Sequence, residues 1–501
     1  MMAIRILFIQ LTISLKSVVV IKMTSILTAK HSSGSVSSHA TNVILHAFDW
    51  PYSKVTRSAK AIANAGYKAV LVSPPYKSYR SDDGTPWWQR YQPQDYRVID
   101  NQLGNTDDFK AMVNALNNHE IHTYADIVFN HMANESAQRT DLNYPSKKTL
   151  SEYRDSEEYF ESIKIFGDLS QPLFTECDFV NAFPIKNWKD PWQVQHGRIS
   201  NGIKDAGLPT LKNNKNVIKQ QKSYLRALKQ LGIKGFRIDA AKHMTLEHIR
   251  QIWDDDISEG VHIFGEIITD GGATKQEYEL FLKPYLANTQ LGAYDFPLFH
   301  TVSDVFNHNA SMASLINPYS VGYALANHRA ITFAITHDIP NNDVFLDQVM
   351  SEEDERLAYC YIMGRDGGVP LIYTDLDTSG IKNSAGQPRW YDSWRDPILV
   401  NMIHFHNLMH GLPMDIVQHS DDLLVFTRGL KGVVVINKGD KQVSIDLPEG
   451  HYSDLVGMQN VLLTPHVSSE QGTLDDDNNE GDKQSLKIPA KSCAMLINND
   501  T

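Results

Sequence analysis

Eight short apolar runs, most of them ending in polar or charged residues, limit what this chain can become. In order they are "NVILHAF" (42–48), "KAVLVSP" (68–74), "HTYADIVFNH" (122–131), "GFRIDAAKH" (235–243), "VHIFGEII" (261–268), "GAYDFPL" (292–298), "ITFAITHD" (331–338) and "GVPLIYTD" (368–375). Stretches of helical period lie between several of them, such as "TDDFKAMVNALNNHE" (106–120) and "NVIKQQKSYLRALKQLG" (216–232), the second closing on glycine as a helix end does. Near-continuous apolar strands alternating with helices build a parallel sheet, and eight such units predict a closed (β/α)8 or TIM barrel. The third and fourth runs are widely separated by polar sequence rich in Pro, Trp and Asn, which reads as a small inserted domain over 132–209. Beyond about residue 405 the pattern changes to short alternating strands, "LLVFTRG", "GVVVINKGD", "QVSIDLPEG" and "SCAMLIN", predicting an antiparallel β-sandwich domain over 406–501. The barrel is then expected over 41–131 and 210–405.

The bulk numbers exclude several function classes. A chain of 501 residues with 42% hydrophobic, 21% charged and 10% aromatic content is globular, with enough length for a large barrel and additions. Its net charge of −12 supplies no basic face for nucleic acid and no attraction to anionic membrane surfaces, so a neutral substrate suits it better. Cys177, Cys360 and Cys493 are few, odd in number and far apart, which reads as free thiols. Residues 1–22 contain "RILFIQLTISLKSVVVI", broken by Lys16 into pieces shorter than the roughly 20 residues a spanning helix needs. Read as a signal peptide, this segment implies secretion; with translation starting near Met23, it implies a cytoplasmic protein. "HSSGSVSSHA" (31–40) is a flexible lead-in, and the acidic stretch 468–485 fails as a calcium loop because Lys487 falls where the bidentate Glu belongs. No stable membrane insertion and a monomer are expected.

In such a barrel the chemistry gathers at the C-terminal strand ends. The third run ends with Asp126, Asn130 and His131, the fourth with Arg237, Asp239, Lys242 and His243, the fifth with Glu266, the seventh with His337 and Asp338. Three carboxylates from three strands, Asp239, Glu266 and Asp338, would converge on one rim. Buried like charges are costly unless function or a cation requires them. Paired carboxylates flanking a bond are what glycoside hydrolysis needs. The competing chemistry is a metal-assisted hydrolase drawing on His131 and His337. Arg237 decides between them: residues i and i+2 of a strand share a face, so this cation lies beside Asp239, lowers its pKa and repels a metal. Glu266, among Ile263, Phe264 and Ile267, has an apolar setting that would raise its pKa and keep it a proton donor. "TPWWQRYQPQDYRV" (85–98) adds Trp87, Trp88 and Tyr91, flat rings suited to stacking on sugars, while Tyr96 reads as core.

These residues resemble the α-amylase family of glycoside hydrolases, whose short motifs look like "DIVFNH" (126–131), "GFRIDAAKH" (235–243), "FGEII" (264–268) and "ITHDIPNND" (335–343). The similarity covers nearly the whole chain, and the stretch from "SPPYKSYR" through "WWQRYQPQDYRV" is similar to the cleft loop of animal-type members. The resemblance implies a retaining enzyme, with Asp239 as nucleophile, Glu266 as general acid and then base, and Asp338 orienting sugar hydroxyls and stabilising the transition state. It further implies that His131 and His337 bond the sugar at the cleavage point, that Arg237 positions Asp239, that Trp87, Trp88 and Tyr91 stack on glucose units, and that Lys242 serves the acceptor side. Family members hold a structural Ca2+ between barrel and insert; here Asn130 and the carbonyls of Gln195 and His243 match, but "LPTL" puts Thr210 where Asp is expected, so calcium is expected at reduced affinity. Thr336 before His337, and the absence of Lys or Arg from Gly368 to Asp375, argue against chloride activation. The reading is an endo-acting α-1,4-glucan hydrolase. Its rivals are an exo-acting α-glucosidase or transglycosylase of the same family and a non-catalytic glycan-binding relative.

Overall fold

The computed structural model describes residues 42–81, 84–200, 205–447, 450–457, 459–463 and 485–501. The apolar N-terminal segment, its lead-in and nearly all of the acidic stretch 468–485 lie outside the described residues.

All eight apolar runs contribute a strand: β1 (Ile44–Ala47), β2 (Ala69–Val72), β3 (His122–Val128), β4 (Ile233–Asp239), β5 (His262–Gly265), β6 (Gly292–Tyr294), β7 (Ala330–Thr332) and β8 (Val369–Thr374). They close in the order β1-β8-β7-β6-β5-β4-β3-β2, with every neighbouring pair parallel. Closure removes both sheet edges and buries the strands on two faces, which is why their sequences read as continuous apolar runs rather than as alternation. The crossover helices carry their own signals. Thr106–Asn117 opens on a capping box in which the Asn105 side chain accepts from the Asp107 and Asp108 amides while Asp108 caps Asn105 in return. Lys215–Gln230 is capped by Asn214 and followed by Gly232 at φ +101°, a left-handed turn that favours glycine. In β4, Gly235 is required by packing, because a Cβ there would lie 2.4 Å from the Tyr124 ring.

After β3 the chain leaves the barrel and returns through a neck where His131 and Thr210 form an antiparallel bridge and the Met132 amide donates to the Pro209 carbonyl at 3.0 Å. The excursion carries short helices, Lys147–Asp155, Glu157–Ile163 and Pro191–His196. Tyr153, Phe160, Ile163 and Leu169 form a small apolar cluster with Val98 of the barrel loop. The C-terminal region contains β9 (Met414–His419), β10 (Leu423–Arg428), β11 (Gly432–Asn437), β12 (Val443–Ile445), β13 (Gly450–Asp454), β14 (Gln459–Leu463), β15 (Leu486–Ile488) and β16 (Ser492–Asn498). Six form an antiparallel sheet in the order β9-β10-β11-β16-β13-β14, and β12 pairs with β15. Leu423, Val425, Val433 and Val435 pack with Ile445 and Ile488 of that pair, while Phe426 and Val434 join the barrel-side core. Arg428 ties the two parts together. Its guanidinium donates to the carbonyls of Gly364, Arg365, Met409 and Leu412, at and just beyond the ends of two barrel helices.

Candidate active site

The parallel register places Asp126 of β3 opposite Arg237 of β4, and β4 itself presents Arg237 and Asp239 on one face. Phe236, on the other face, packs against Trp253 at 5.5 Å. Arg237 is fully buried and is the hub of the site. Its Nη1 donates to both oxygens of Asp126, at 2.8 and 2.7 Å, and to Asp239 Oδ1 at 2.8 Å. Its Nη2 donates to Glu266 Oε1. The chain just past β4 is held in the left-handed region at Ala240, φ +48°, uncommon for a residue with a Cβ. That turn aims the Ala240 amide at Glu266 Oε2, 3.0 Å away. Asp338 joins from beyond β7: Glu266, His337 and Asp338 each offer one polar atom within 4.8 Å of the others.

The electrostatics differ from the sequence expectation in two respects. Asp239 was expected to be held at low pKa by a cation of its own. Instead burial, joined by Glu266, Asp126 and Asp338, raises it well above the ordinary carboxylate value against the pull of Arg237. The physical reason is crowding: one guanidinium faces three carboxylates in contact, so burial and the repulsion of each carboxylate by the others outweigh its attraction to the cation. Glu266 was expected among apolar side chains, but its partners are Arg237 and a backbone amide. Its pKa is nonetheless pushed up to about 7 by burial, opposed by Arg237 and reinforced by repulsion from Asp338 and a hydrogen bond to it. Asp126, fully buried, rises to about 6 for the same first reason. Burial thus displaces Asp126, Asp239 and Glu266 all upward, with Glu266 pushed up to about 7.

Rings enclose this centre on one side. His337 is sandwiched between Phe48, at 4.6 Å, and Tyr91, at 5.4 Å, and burial lowers its pKa to about 3, so it is neutral. Tyr91, expected to stack on sugar, is itself buried against His337 and donates its hydroxyl to Asp126 at 2.9 Å. Trp87 packs edge-on against Tyr91 and His337, whereas Trp88 is 40% exposed and stacks on Tyr79 at 6.1 Å. The adjacent tryptophans thus part company, one inward and one outward. His131, expected at the sugar, is buried with Nε2 bonded to the Tyr91 carbonyl at 3.0 Å and neutral, its pKa lowered to about 4. Lys242 pairs with Glu277 at 3.2 Å, beside the Phe281 ring.

The profile of the α-amylase catalytic domain matches residues 55–325, and that of the α-amylase C-terminal all-β domain matches 415–499. An α-amylase of Aeromonas hydrophila is 48% identical over 403 residues, covering 80% of this chain and 85% of that protein. The chain belongs to the α-amylase family. It is accordingly a glycoside hydrolase. An α-amylase of Clostridium acetobutylicum is 28% identical over 484 residues, 92% of this chain and 54% of the other. The crystal structure of α-amylase I from Eisenia fetida shares the fold with a TM-score of 0.67 at 21% identity, over 91% of this chain and 95% of that one.

Within this α-amylase-family chain, the residues matched to calcium form a separate group. Asn130, Gln195 and His243 line one cavity of about 280 Å³ at the joint between barrel and insert. Thr210 does not offer its hydroxyl there; it donates to the Gly197 carbonyl at 2.9 Å. The His243 ring bonds the Val194 carbonyl at 3.0 Å. Asn213, in the same lining, has its side-chain oxygen buried without a partner, a neutral donor that suits a cation. No carboxylate lines this cavity among the described residues. With Lys212 also in the lining, the fit is that of an oxygen cradle poor in the negative charge a hard cation prefers.

Two buried residues escaped the sequence reading of the site. Asp126 was noted as a strand end and given no role, yet it holds more of Arg237 than Asp239 does. His46 of β1 lies edge-on to His337 at 5.2 Å with neither ring nitrogen bonded. Only the barrel register could have revealed either, since their partners lie far away in sequence.

Proposed function

We propose that the chain is an endo-acting α-1,4-glucan hydrolase that cleaves starch, glycogen or maltooligosaccharides with net retention, acting as a monomer. The observation that carries this reading is the single Arg237 guanidinium touching both Asp239 and Glu266. One such fork spans two carboxylates only when they are close, which favours the roughly 5–5.5 Å spacing of retaining enzymes over the wider gap of inverting ones. Asp239 attacks the anomeric carbon as the glycosidic bond breaks. Glu266, carrying its proton near neutral pH, gives that proton to the leaving oxygen. The resulting carboxylate then takes a proton from the water that releases the sugar from Asp239. Asp338, whose Oδ2 is buried without a partner, is available to bind substrate hydroxyls and to favour the positive charge that develops on the sugar. Trp87 and Trp88 stack on glucose units of the donor side, His337 contributes a neutral imidazole, and His131 orients the loop carrying Tyr91. Lys242 serves acceptor sugars once released from Glu277.

Calcium belongs to this proposal as a structural ion that Asn130 and the carbonyls of Gln195 and His243 would hold weakly, where it would help fasten insert to barrel. Chloride has no part in it. The deciding experiment is product analysis on maltoheptaose, with the anomer released followed by NMR. Mixed short maltooligosaccharides appearing first as the α-anomer are expected. Glucose as sole product would establish an exo enzyme, and a β-anomer would refute retention.

A further inference from the structure

Two of the three cysteines, far apart in sequence, meet where the barrel packs on the C-terminal sheet. Cys360 sits on helix Glu352–Gly364 and Cys493 on β16. Side chains alternate along β16. Ala494 and Leu496 join Val433 and Val435 in the cluster that packs on Ile445 and Ile488, whereas Cys493, Met495 and Ile497 face the barrel-side core with Val434 and Ile436. The register sets Val434 opposite Met495 and Ile436 opposite Cys493. On the helix, Gly364 lets the two layers approach closely, because a Cβ there would lie 3.0 Å from both Phe426 Cζ and Val434 Cγ2. Cys360 precedes Gly364 by one turn on the same helix face. One turn of helix and two residues of strand cover similar distances, roughly 6–7 Å. Cys360 therefore reaches Cys493, the neighbour of Ile436, and the two side chains are in hydrogen-bonding contact.

Both residues are thiols in this structure, Cys360 fully buried and Cys493 half-buried. We propose that Cys360 and Cys493 are a site of disulfide formation, a covalent clasp between barrel and C-terminal domain that closes when the chain meets a low-molecular-weight disulfide. The difference in exposure sets the order of events. Burial, then the hydrogen bond and charge of Cys493, then Asp454, raise the Cys360 thiol well above its ordinary pKa, so it is shielded from outside reagents. Cys493, as thiolate, attacks one sulfur of the oxidant; the oxidant's S–S bond breaks and one thiolate leaves. Cys360 then gives up its proton and attacks the Cys493 sulfur, displacing the second thiolate. Two protein thiols lose two electrons and two protons, and the oxidant is reduced to two thiols. The clasp closes a loop of roughly 130 residues, long enough to restrict the unfolded chain strongly.

The test uses the full chain with Cys177→Ser, which leaves only this pair of thiols. It is incubated with oxidised glutathione at mildly alkaline pH, quenched with acid, unfolded, alkylated and weighed by mass spectrometry before and after proteolysis. The expected product takes up no alkylating reagent, has lost two hydrogen atoms, and yields the Cys360 and Cys493 peptides as one species that dithiothreitol separates. Its Tm should stand a few degrees above that of the reduced chain and return on reduction. With Cys493→Ser added, the same treatment should leave Cys360 a thiol and Tm unchanged. Two alkylated thiols, glutathione retained on Cys493 beside a free Cys360, or a dimer linked through Cys493 overturns the site. A disulfide within one chain whose Tm is no higher than that of the reduced form overturns the clasp. Neither outcome depends on which glucan the enzyme cleaves.

Discussion

The ends of β3 and β4 build two polar centres a single helical turn of sequence apart, and they are constructed on opposite principles. Asp126 and Asp239 face a shared guanidinium in a charged cluster, whereas Asn130 and His243, four residues further along each segment, line a cavity without carboxylates. The first concentrates like charge that one cation cannot neutralise, leaving pKa values displaced upward. The second is closed by ordinary hydrogen bonds, Thr210 to Gly197 and His243 to Val194, and serves as a joint. Charge that is expensive to bury marks the reactive centre, and neutral groups suffice where the task is fastening.

That contrast is most severely tested at the carboxylates. Asp239→Asn and Glu266→Gln are expected to reduce kcat by several orders of magnitude, while Tm stays level or rises because each removes one of several crowded negative charges. A fall in Tm for both would mean that the cluster is structural. Arg237→Met should act in the opposite sense, abolishing activity and costing on the order of 3–5 kcal/mol in denaturant unfolding, because it strands buried carboxylates. In the joint, Thr210→Val should cost only about 1–3 kcal/mol, the penalty of leaving one buried carbonyl unpaired, with kcat retained. Equal losses at Arg237 and Thr210 would erase the distinction.

Smaller effects sharpen it. Glu266 must be protonated to act as the acid, and its pKa is pushed up to about 7, so kcat/KM should fall as pH rises through about 7. Asp338→Asn removes repulsion and a hydrogen bond that hold the proton on Glu266, so the residual activity should lose its alkaline limb at lower pH. His131 and His243, with pKa values lowered to about 4, are neutral throughout that window and should contribute nothing to it. The smallest effect is expected from calcium. Chelation should lower Tm by no more than a few degrees, and Thr210→Asp, by placing a carboxylate next to Leu211 of the cavity lining, should raise calcium affinity in a titration and enlarge that shift.

Much of the architecture was legible because barrel closure leaves a local imprint. Strands buried on both faces must be apolar throughout, and the helices between them must carry one apolar stripe, so the eight runs could be counted directly. The C-terminal region was less legible. "LLVFTRG", "GVVVINKGD" and "SCAMLIN" were strong enough to read, but Met414–His419, with its exposed and half-buried residues, and the short Leu486–Ile488 gave too little pattern. At the site, the shared face of Arg237 and Asp239 followed from the two-residue period of a strand. The fates of Trp87 and Trp88 were half legible: neighbours in sequence had to diverge, but which one stayed outside depended on Phe48 and His337.

By itself, then, the sequence determined the count of strands and the positions of the chemical groups, because these depend on periodicity and residue type. Tertiary structure decided how charge is distributed. Register set Asp126 against Arg237, closure brought Glu266 and Asp338 from other strands, and the sum turned an expected ion pair into one cation divided among several carboxylates. Coulomb interactions reach across a barrel regardless of distance along the chain, so a pKa belongs to the assembled site rather than to the residue or its neighbours in sequence.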